Sequence, residues 1–141
     1  MEDKAYLHDI LRDGAARYSL RLVDLAGDLV AGIVLHQVVR WEALVHLGAV
    51  GDADDDGTAP LLAPLDWEGQ VWVWPRNPWV LFWGLCRVEA REAAQALARL
   101  ERKHLLFYRR VDIDCIPRTL VRLNDAHLRY LWGAALEVNH A

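Results

Sequence analysis

Cysteine is scarce in this chain of 141 residues, and its two cysteines, Cys86 and Cys115, lie 29 positions apart. Neither belongs to a Cys-x-x-Cys pair or has a histidine at the spacing of zinc ligands, so neither a disulfide framework nor a zinc site is predicted. The six histidines are scattered, and the one pair within a single predicted helix, His36 and His46, is nearly three turns apart. We therefore predict no metal and no cofactor.

The sequence motifs of common enzyme classes are also missing. The chain has no glycine-rich phosphate loop, no Gly-x-Ser-x-Gly elbow and no His-Glu-x-x-His helix. Its few carboxylate pairs fall on helical faces that the pattern predicts to be exposed. We therefore predict that the protein is not an enzyme and has no small-molecule substrate.

No long apolar run is free of charge. The most apolar stretch, residues 29–47, contains Arg40 and Glu42, which a bilayer would have to accommodate, so a buried helix is favoured over a membrane span. The polar start, Met1 to Lys4, is not followed by the apolar segment of a secretory signal. We expect a cytoplasmic protein with no membrane partner.

What the chain does contain is apolar mass and arginine. Hydrophobic residues make up 54% of it and seven are tryptophan, enough for one core in a chain of this length. This predicts a single domain over residues 1–132 and a flexible tail over 133–141. Arginine outnumbers lysine fourteen to two, a composition that suits a GC-rich genome and a thermophile.

The charges are unevenly distributed. Residues 77–124 hold nine basic groups against five acidic ones, a local charge of +4, whereas the whole chain carries −4. Such an asymmetry can mark a nucleic-acid-binding face, but +4 is modest for that role.

The N-terminal part of the sequence predicts a helix, a short strand and a long core helix, in that order. Residues 5–17 fit an amphipathic helix, and the alternation of residues 18–23 favours a brief strand. Asp24 or Asp28 can then cap a long core helix that begins near Leu29 and stops at Gly48.

Residues 51–64 are rich in aspartate, glycine and proline, which predicts an exposed loop. Asp52, Asp54 and Asp56 followed by Gly57 match the start of an EF-hand calcium loop. The twelfth position, however, is Ala63 rather than a bidentate glutamate. A solvated turn is therefore preferred over a calcium site.

Residues 70–124 follow the order strand, helix, tight turn, helix and two-stranded hairpin, which is typical of a winged helix-turn-helix. The predicted elements are a strand over 70–74, a helix capped by Asn77 with Pro78 at its first position, a turn at Gly84-Leu85, a second helix over 87–103, and a hairpin of 105–111 with 118–123. A last helix around residues 128–132 closes the domain. The predicted fold class is α+β, a winged helix-turn-helix with an N-terminal helical extension, a long core helix and a C-terminal helix.

The predicted helix after Pro78 is apolar nearly all round. The simplest interpretation of Trp72, Trp74, Trp79 and Trp83 is packing in the core. A helix of two turns, however, leaves room for at least one indole at an interface. Trp79, beside the cap, is the tryptophan expected there.

Residues 27–41, Gly-Asp-Leu-Val-Ala-Gly-Ile-Val-Leu-His-Gln-Val-Val-Arg-Trp, resemble the first helix of the winged-helix domains of phage and plasmid replication initiators. Residues 70–74, 79–85 and 87–103 match the order of their later elements. The resemblance implies a phage-type or mobile-element protein, which would act in the host bacterial cytoplasm. In size, in its preference for arginine and in its tryptophan content, the chain is also similar to the RNA-polymerase-binding inhibitors of Thermus phages, which implies docking near the flap and sigma factor of a bacterial RNA polymerase.

The chain departs from the initiator pattern in its charges. Glu89 and Glu92 interrupt the arginines of the helix that would read DNA, and Asp112 and Asp114 make the tip of the wing, residues 112–117, acidic. Carboxylates facing phosphates repel them, so a protein partner is favoured. The predicted partner-binding residues are Trp79, Arg87, Arg91, Gln95, Arg109, Arg110, Arg118 and Arg122.

Two hypotheses for function remain open. The first is a phage-type transcription regulator that binds host RNA polymerase and inhibits or redirects promoter use. The alternative is a DNA-binding replication organiser or repressor of a phage or plasmid. Salt dependence separates them, because DNA binding weakens steeply with ionic strength.

Overall fold

The computed structural model describes residues 4–13, 19–47 and 62–139. It confirms the α+β class, since within these ranges six helices accompany one antiparallel sheet of four strands. The elements in chain order are α1 (Tyr6–Asp13), α2 (Leu20–Ala26), α3 (Leu29–Leu47), β1 (Leu62–Trp67), β2 (Gln70–Pro75), α4 (Pro78–Cys86), α5 (Ala90–Arg102), β3 (Leu106–Ile113), β4 (Ile116–Leu123) and α6 (Asp125–Asn139).

The predicted strand over residues 18–23 is wrong, because residues 20–23 form the start of α2. Ser19 caps that helix, and its hydroxyl accepts a hydrogen bond from the backbone N–H of Leu22 at 3.3 Å. Gly27 ends the helix in the left-handed conformation, with φ at 88°. The two cap residues outweigh the short alternation on which the strand prediction depended.

The long core helix is confirmed as α3, and Asp28 is the residue that caps it. The Asp28 carboxylate accepts a hydrogen bond from the backbone N–H of Ala31 at 3.2 Å. Close to this cap, Gly32 lets α2 approach, because a Cβ placed on Gly32 would lie 2.6 Å from the Cα of Val23. The sharp turn between α2 and α3 therefore depends on a residue without a side chain.

A strand that the sequence analysis does not predict precedes β2. Residues 62–64 fall in β1 rather than in the predicted loop, whereas residues 48–61, with the calcium-like aspartates, lie outside the described residues. The β1 and β2 strands pair antiparallel around Glu68 and Gly69, both of which have positive φ. Two consecutive residues with positive φ form the kind of two-residue turn that matches the twist of a hairpin.

The connection between α4 and α5 lies three residues later than predicted. Pro78 begins α4 as expected, although the Asn77 side chain makes no capping hydrogen bond. Gly84 is helical, and Arg87 ends α4 in the left-handed conformation, with its backbone N–H bonded to Trp83. The predicted start of the next helix at Arg87 is therefore wrong, and α5 begins at Ala90.

The sheet has the strand order β1-β2-β4-β3, all antiparallel. The predicted hairpin is confirmed, but its strands are longer, since β3 and β4 pair from Leu106–Leu123 to Ile113–Ile116. Only Asp114 and Cys115 remain in the turn, both with positive φ. The β2 strand joins β4 at Val73 and Val121.

The last helix, α6, begins at Asp125 and continues beyond Trp132 to Asn139. The predicted boundary at Trp132 is therefore not the end of the helix. Gly133 alone does not stop it, because alanines and leucine, which are strong helix formers, follow.

The core lies between the helices and one face of the sheet. Trp41 of α3 is fully buried and packs on Phe82 of α4, with ring centroids 5.0 Å apart. Val73, Val121 and Leu106 cover the sheet side of this core. Because Phe82 is the buried anchor of α4, the opposite side of that helix faces outward.

A buried polar cluster ties the N-terminal segment to α3 and α6. Lys4 Nζ lies 2.6 Å from Asp125 and 3.4 Å from Glu42, and the Tyr6 hydroxyl donates to Asp125 at 2.5 Å. The second Glu42 oxygen accepts the backbone N–H of Leu123 at 2.9 Å. Burial opposes the charge on Lys4, but the two carboxylates outweigh it and raise its pKa. Burial and the hydrogen bond to Asp125 raise the pKa of Tyr6.

Within the described ranges, no single helix combines the length and the apolarity needed to cross a membrane. The helices α2 and α3 satisfy both conditions only when taken together, and they are bent by 113° relative to each other.

Candidate functional site

The most exposed tryptophan with a described side chain is Trp83 on α4. It is 49% exposed, and Val80 on the same side of the helix is 62% exposed. Phe82 fixes this orientation, because its burial against Trp41 turns residues 80 and 83 outward. The guanidinium of Arg87 lies 5.5 Å from the centre of the Trp83 ring. Tryptophan and arginine are both enriched among the residues that contribute most to binding energy at protein interfaces.

A shallow groove of about 440 Å³ runs along this side of α4 to the start of α5. We call it the apolar groove, and it is lined by Trp79, Val80, Trp83, Glu89 and Ala90. Glu89 is its single ionisable lining residue. Exposed apolar surface of this kind favours contact with another apolar surface.

A second concavity, of about 580 Å³, lies between the start of α4 and the β3–β4 hairpin. We call it the arginine cleft, because Arg76, Arg110 and Arg118 come to it from three different elements while Asp112 is its single carboxylate. Its remaining lining residues are Asn77, Pro78, Trp79, Val111, Pro117 and Thr119. Arg118 leaves β4 on the face opposite to Arg110, because it pairs with Val111 whereas Arg110 pairs with Thr119. Arg76 and Arg110 against one carboxylate favour an anionic ligand group.

Trp79 lines both concavities. It is half-buried, with its ring 6.4 Å from that of Phe82, so one side of the indole packs inward. Trp79 thus joins the arginine cleft to the apolar groove, and the two form one continuous surface around α4.

The outer face of α5 carries mixed charge. Arg91 and Gln95 are exposed there as predicted, and Glu89 and Glu92 are exposed as well. Arg99, further along the helix, pairs with Asp28 at 2.9 Å. The first turns of α5 therefore present carboxylates beside arginine.

Arg109 and Arg110 are separated by the structure. Neighbouring residues of a strand leave it on opposite faces, so Arg110 reaches the arginine cleft whereas Arg109 pairs with Glu101 of α5. Tyr108 beside them has a pKa that burial raises, with Arg110 opposing the shift. The two arginines cannot act as one patch.

Arg122 packs on aromatic rings, on the face of the sheet that points away from the helices. Its guanidinium lies 4.3 Å from the ring centre of Phe107 and 5.1 Å from that of Trp72. It is half-buried there, remote in the sheet register from the residues of the arginine cleft. Cation–π packing thus accounts for its position.

Of the predicted site residues, Trp79, Arg110 and Arg118 line one cleft, although Arg118 leaves the opposite face of the hairpin from Arg110. Arg87 lies beside the apolar groove, and Arg91, Gln95, Arg109 and Arg122 lie elsewhere. Sequence reasoning missed Arg76, Val80 and Trp83. A signal for Trp83 existed, since it follows Trp79 by one turn on a helix too apolar to be covered completely. Arg76 had no such signal, because its position depends on how β2 ends against β4.

The tip of the β3–β4 hairpin is acidic and exposed. Asp112, Asp114 and Ile116 all lie at the surface. The exposure of Ile116 is 50%, which leaves an apolar side chain beside the acidic turn.

No protein-family model, no curated protein and no solved structure matches this chain.

Proposed function

We propose that the chain is a winged-helix protein that binds another protein rather than DNA, and that its partner is host bacterial RNA polymerase. The observation that carries the protein-binding part is the exposed pair Val80 and Trp83 on α4, with Arg87 against the indole. The choice of RNA polymerase as the partner depends on the resemblance to phage proteins. The proposed contact on the polymerase is the flap and sigma region.

The order of the elements supports a winged helix. After the core helix α3 come the strand β2, the helices α4 and α5, and the hairpin β3–β4, and β2 pairs with the second strand of that hairpin. In that arrangement α4 and α5 are the two helices of the helix-turn-helix and the hairpin is the wing. The preceding strand β1 extends the sheet on the far side of β2.

The surface charges support a protein partner over DNA. In winged-helix proteins that read DNA, the position of α5 is the one that enters the major groove. Here Glu89 is exposed at its N-cap and Glu92 on its first turn, and Asp112 and Asp114 are exposed on the wing. Each of these carboxylates would face the phosphate backbone, which carries one negative charge per about 1.7 Å of duplex.

Binding to purified polymerase tests the proposal. The tagged chain is immobilised, and core polymerase and sigma-containing holoenzyme from a Thermus species are passed over it. We expect binding in the nanomolar to micromolar range, and Trp83→Ala should weaken it about 30-fold or more, because such a truncation removes an interface anchor. The matched control is Tyr130→Ala, since Tyr130 is 71% exposed on α6 and lies outside both concavities.

Two results would count against the proposal. If the wild-type protein binds neither form of polymerase, polymerase is not the partner. If Trp83→Ala leaves the binding unchanged, the exposed face of α4 is not the binding surface. A DNA duplex that binds with a steep dependence on salt, about −0.9 in log-log slope per phosphate contacted, would support the replication organiser or repressor instead.

A further inference from the structure

The arginine cleft and the apolar groove share Trp79, and we propose that together they bind one protein segment in which carboxylate side chains lie next to an apolar side chain. This inference deepens the proposed function and rests on its protein-binding part, but it does not depend on the partner being RNA polymerase.

The charge of the cleft selects the acidic half of such a segment. Arg76 comes from the link between β2 and α4 and Arg110 from β3, so two arginines from separate elements line the cleft, while Arg118 of β4 leaves the opposite face of the hairpin. Asp112 offsets part of that charge. Guanidinium binds carboxylate through paired, charge-assisted hydrogen bonds, which makes aspartate or glutamate a matching ligand.

The apolar groove selects the other half. Val80 and Trp83 offer exposed apolar surface, and Glu89 at its edge disfavours an acidic group there. A leucine or an aromatic side chain that packs on Trp83 would remove both surfaces from water. The character of the surface therefore changes along α4, from cationic beside Pro78 to apolar at Trp83.

The geometry of α4 sets the spacing of the two halves. Trp79 and Trp83 are four residues apart, which is about 6 Å along a helix. An extended segment covers that distance in about two residues, at roughly 3.3 Å each. A helical segment covers it in one turn. The carboxylate and the apolar side chain should therefore be two to four positions apart in the ligand.

Nucleic acid fits this surface less well than a peptide. A phosphate could enter the cleft, but the regular charge of a duplex would extend over Asp112 and Asp114 on one side and Glu89 on the other, all of them exposed. A peptide concentrates its charge in one or two side chains, so it can meet the arginines without facing these carboxylates.

Synthetic peptides test the proposal directly. The probes are fluorescein-labelled 14-residue peptides of alanine, glutamine and serine that carry two aspartates and one leucine or phenylalanine at separations of one to six positions. Affinity for the full chain is measured by fluorescence anisotropy. We expect the tightest binding at separations of two to four, and a loss of about tenfold when asparagine replaces the aspartates or serine replaces the apolar residue.

Variants of the chain test which residues bind the carboxylates of the peptide and which bind its apolar side chain. Arg76→Gln with Arg110→Gln should remove most of the preference for aspartate over asparagine and leave the preference for leucine. Trp83→Ala should remove most of the preference for leucine and leave the preference for aspartate. Arg102→Gln is the matched control, because Arg102 is exposed at the end of α5 outside both concavities and undergoes the same chemical change. With 5-fluorotryptophan in the chain, the fluorine resonances of Trp79 and Trp83 should both shift when peptide binds, whereas that of buried Trp41 should not.

Three outcomes would overturn the inference. One is no binding by any peptide at 1 mM, and another is binding that is indifferent to the aspartates. The third is a 20-base-pair duplex or inorganic phosphate that binds through Arg76 and Arg110 where the peptides do not. If polymerase is not captured but the peptides bind as expected, the inference stands and only the proposed partner fails. If polymerase binding depends on Trp83 while the peptides show no acid preference, the inference alone fails.

Discussion

The substitution Lys4→Met should cost this protein a large part of its stability. Lys4 is the cation of the buried cluster, where its side chain is 15% exposed and faces Glu42 and Asp125, whose side chains are 0% and 1% exposed. Methionine keeps most of the volume but removes the ammonium group that both carboxylates face, and Glu42 then retains the imidazole of His46 at 3.1 Å. Removing one partner of a buried ion pair typically costs about 3–5 kcal/mol.

The remaining contacts put the expected loss near the lower end of that range. Asp125 keeps the hydrogen bond from the Tyr6 hydroxyl, and Glu42 keeps the backbone N–H of Leu123. We therefore expect a loss of about 3 kcal/mol, against a total of roughly 5–15 kcal/mol for a domain. For a chain of this size that corresponds to a fall in Tm of about 10 °C.

The assay is urea unfolding at pH 7, followed by tryptophan fluorescence, with wild type, Lys4→Met and Lys103→Met compared. Lys103 is the other lysine of the chain and is exposed, so its replacement should change the free energy of unfolding by less than about 0.5 kcal/mol. If charge is the cause, adding Asp125→Asn to Lys4→Met should recover part of the loss, and a double-mutant cycle measures that coupling. A loss below about 1 kcal/mol, or no recovery in the double variant, would refute the claim that Lys4 compensates buried carboxylates.

Three further predictions concern the same part of the fold. Because folding raises the pKa of Tyr6, the unfolded chain releases the phenolic proton first as the pH rises. The free energy of unfolding of the wild type should therefore fall above about pH 10. Urea titrations at about pH 9–11 should show a less steep fall for Tyr6→Phe. Ser19→Ala should lower the free energy of unfolding by about 1 kcal/mol through loss of the α2 cap, and an unchanged urea midpoint would contradict it. Gly32→Ala should cost about 1–3 kcal/mol because its Cβ would overlap Val23, whereas the control Gly84→Ala, with open space around it, should raise Tm slightly.

Local signals were sufficient for the elements that have a strong period or a clear cap. The apolar residues of α3 and the proline at the start of α4 predict these two helices, and both are observed. The hairpin β3–β4, predicted over residues 105–111 and 118–123, is also observed. In each case the information lies within a few residues of the element itself.

The wrong predictions occur where a cap or a tertiary contact determines the local conformation. The segment after Ser19 alternates like a strand over a few residues, but Ser19 and Gly27 satisfy the ends of a helix there. Gly84-Leu85 looks like a turn, yet α4 continues because Arg87 adopts the left-handed conformation that ends it. Conformations of this kind in a residue other than glycine are uncommon, so composition gives no warning of them.

The candidate surface was predictable only in part for the same reason. Trp79, Arg110 and Arg118 were expected at an interface and do line one cleft. Arg76 joins them through the sheet register, and Val80 and Trp83 become exposed through the burial of Phe82. Neither the register nor the side of α4 that Phe82 occupies can be obtained from spacing within one element.

The arginines between residues 77 and 124 do not form one basic face, and this changes what their local charge of +4 means. Arg99 is paired with Asp28, Arg109 with Glu101, and Arg122 lies against aromatic rings on the far side of the sheet. A polyanion responds to the sum of such charges over a long surface, whereas a short segment responds to the few that converge. Since the charges that converge are those of the arginine cleft, next to an exposed tryptophan, the surface is better suited to a short acidic and apolar segment than to a nucleic-acid backbone.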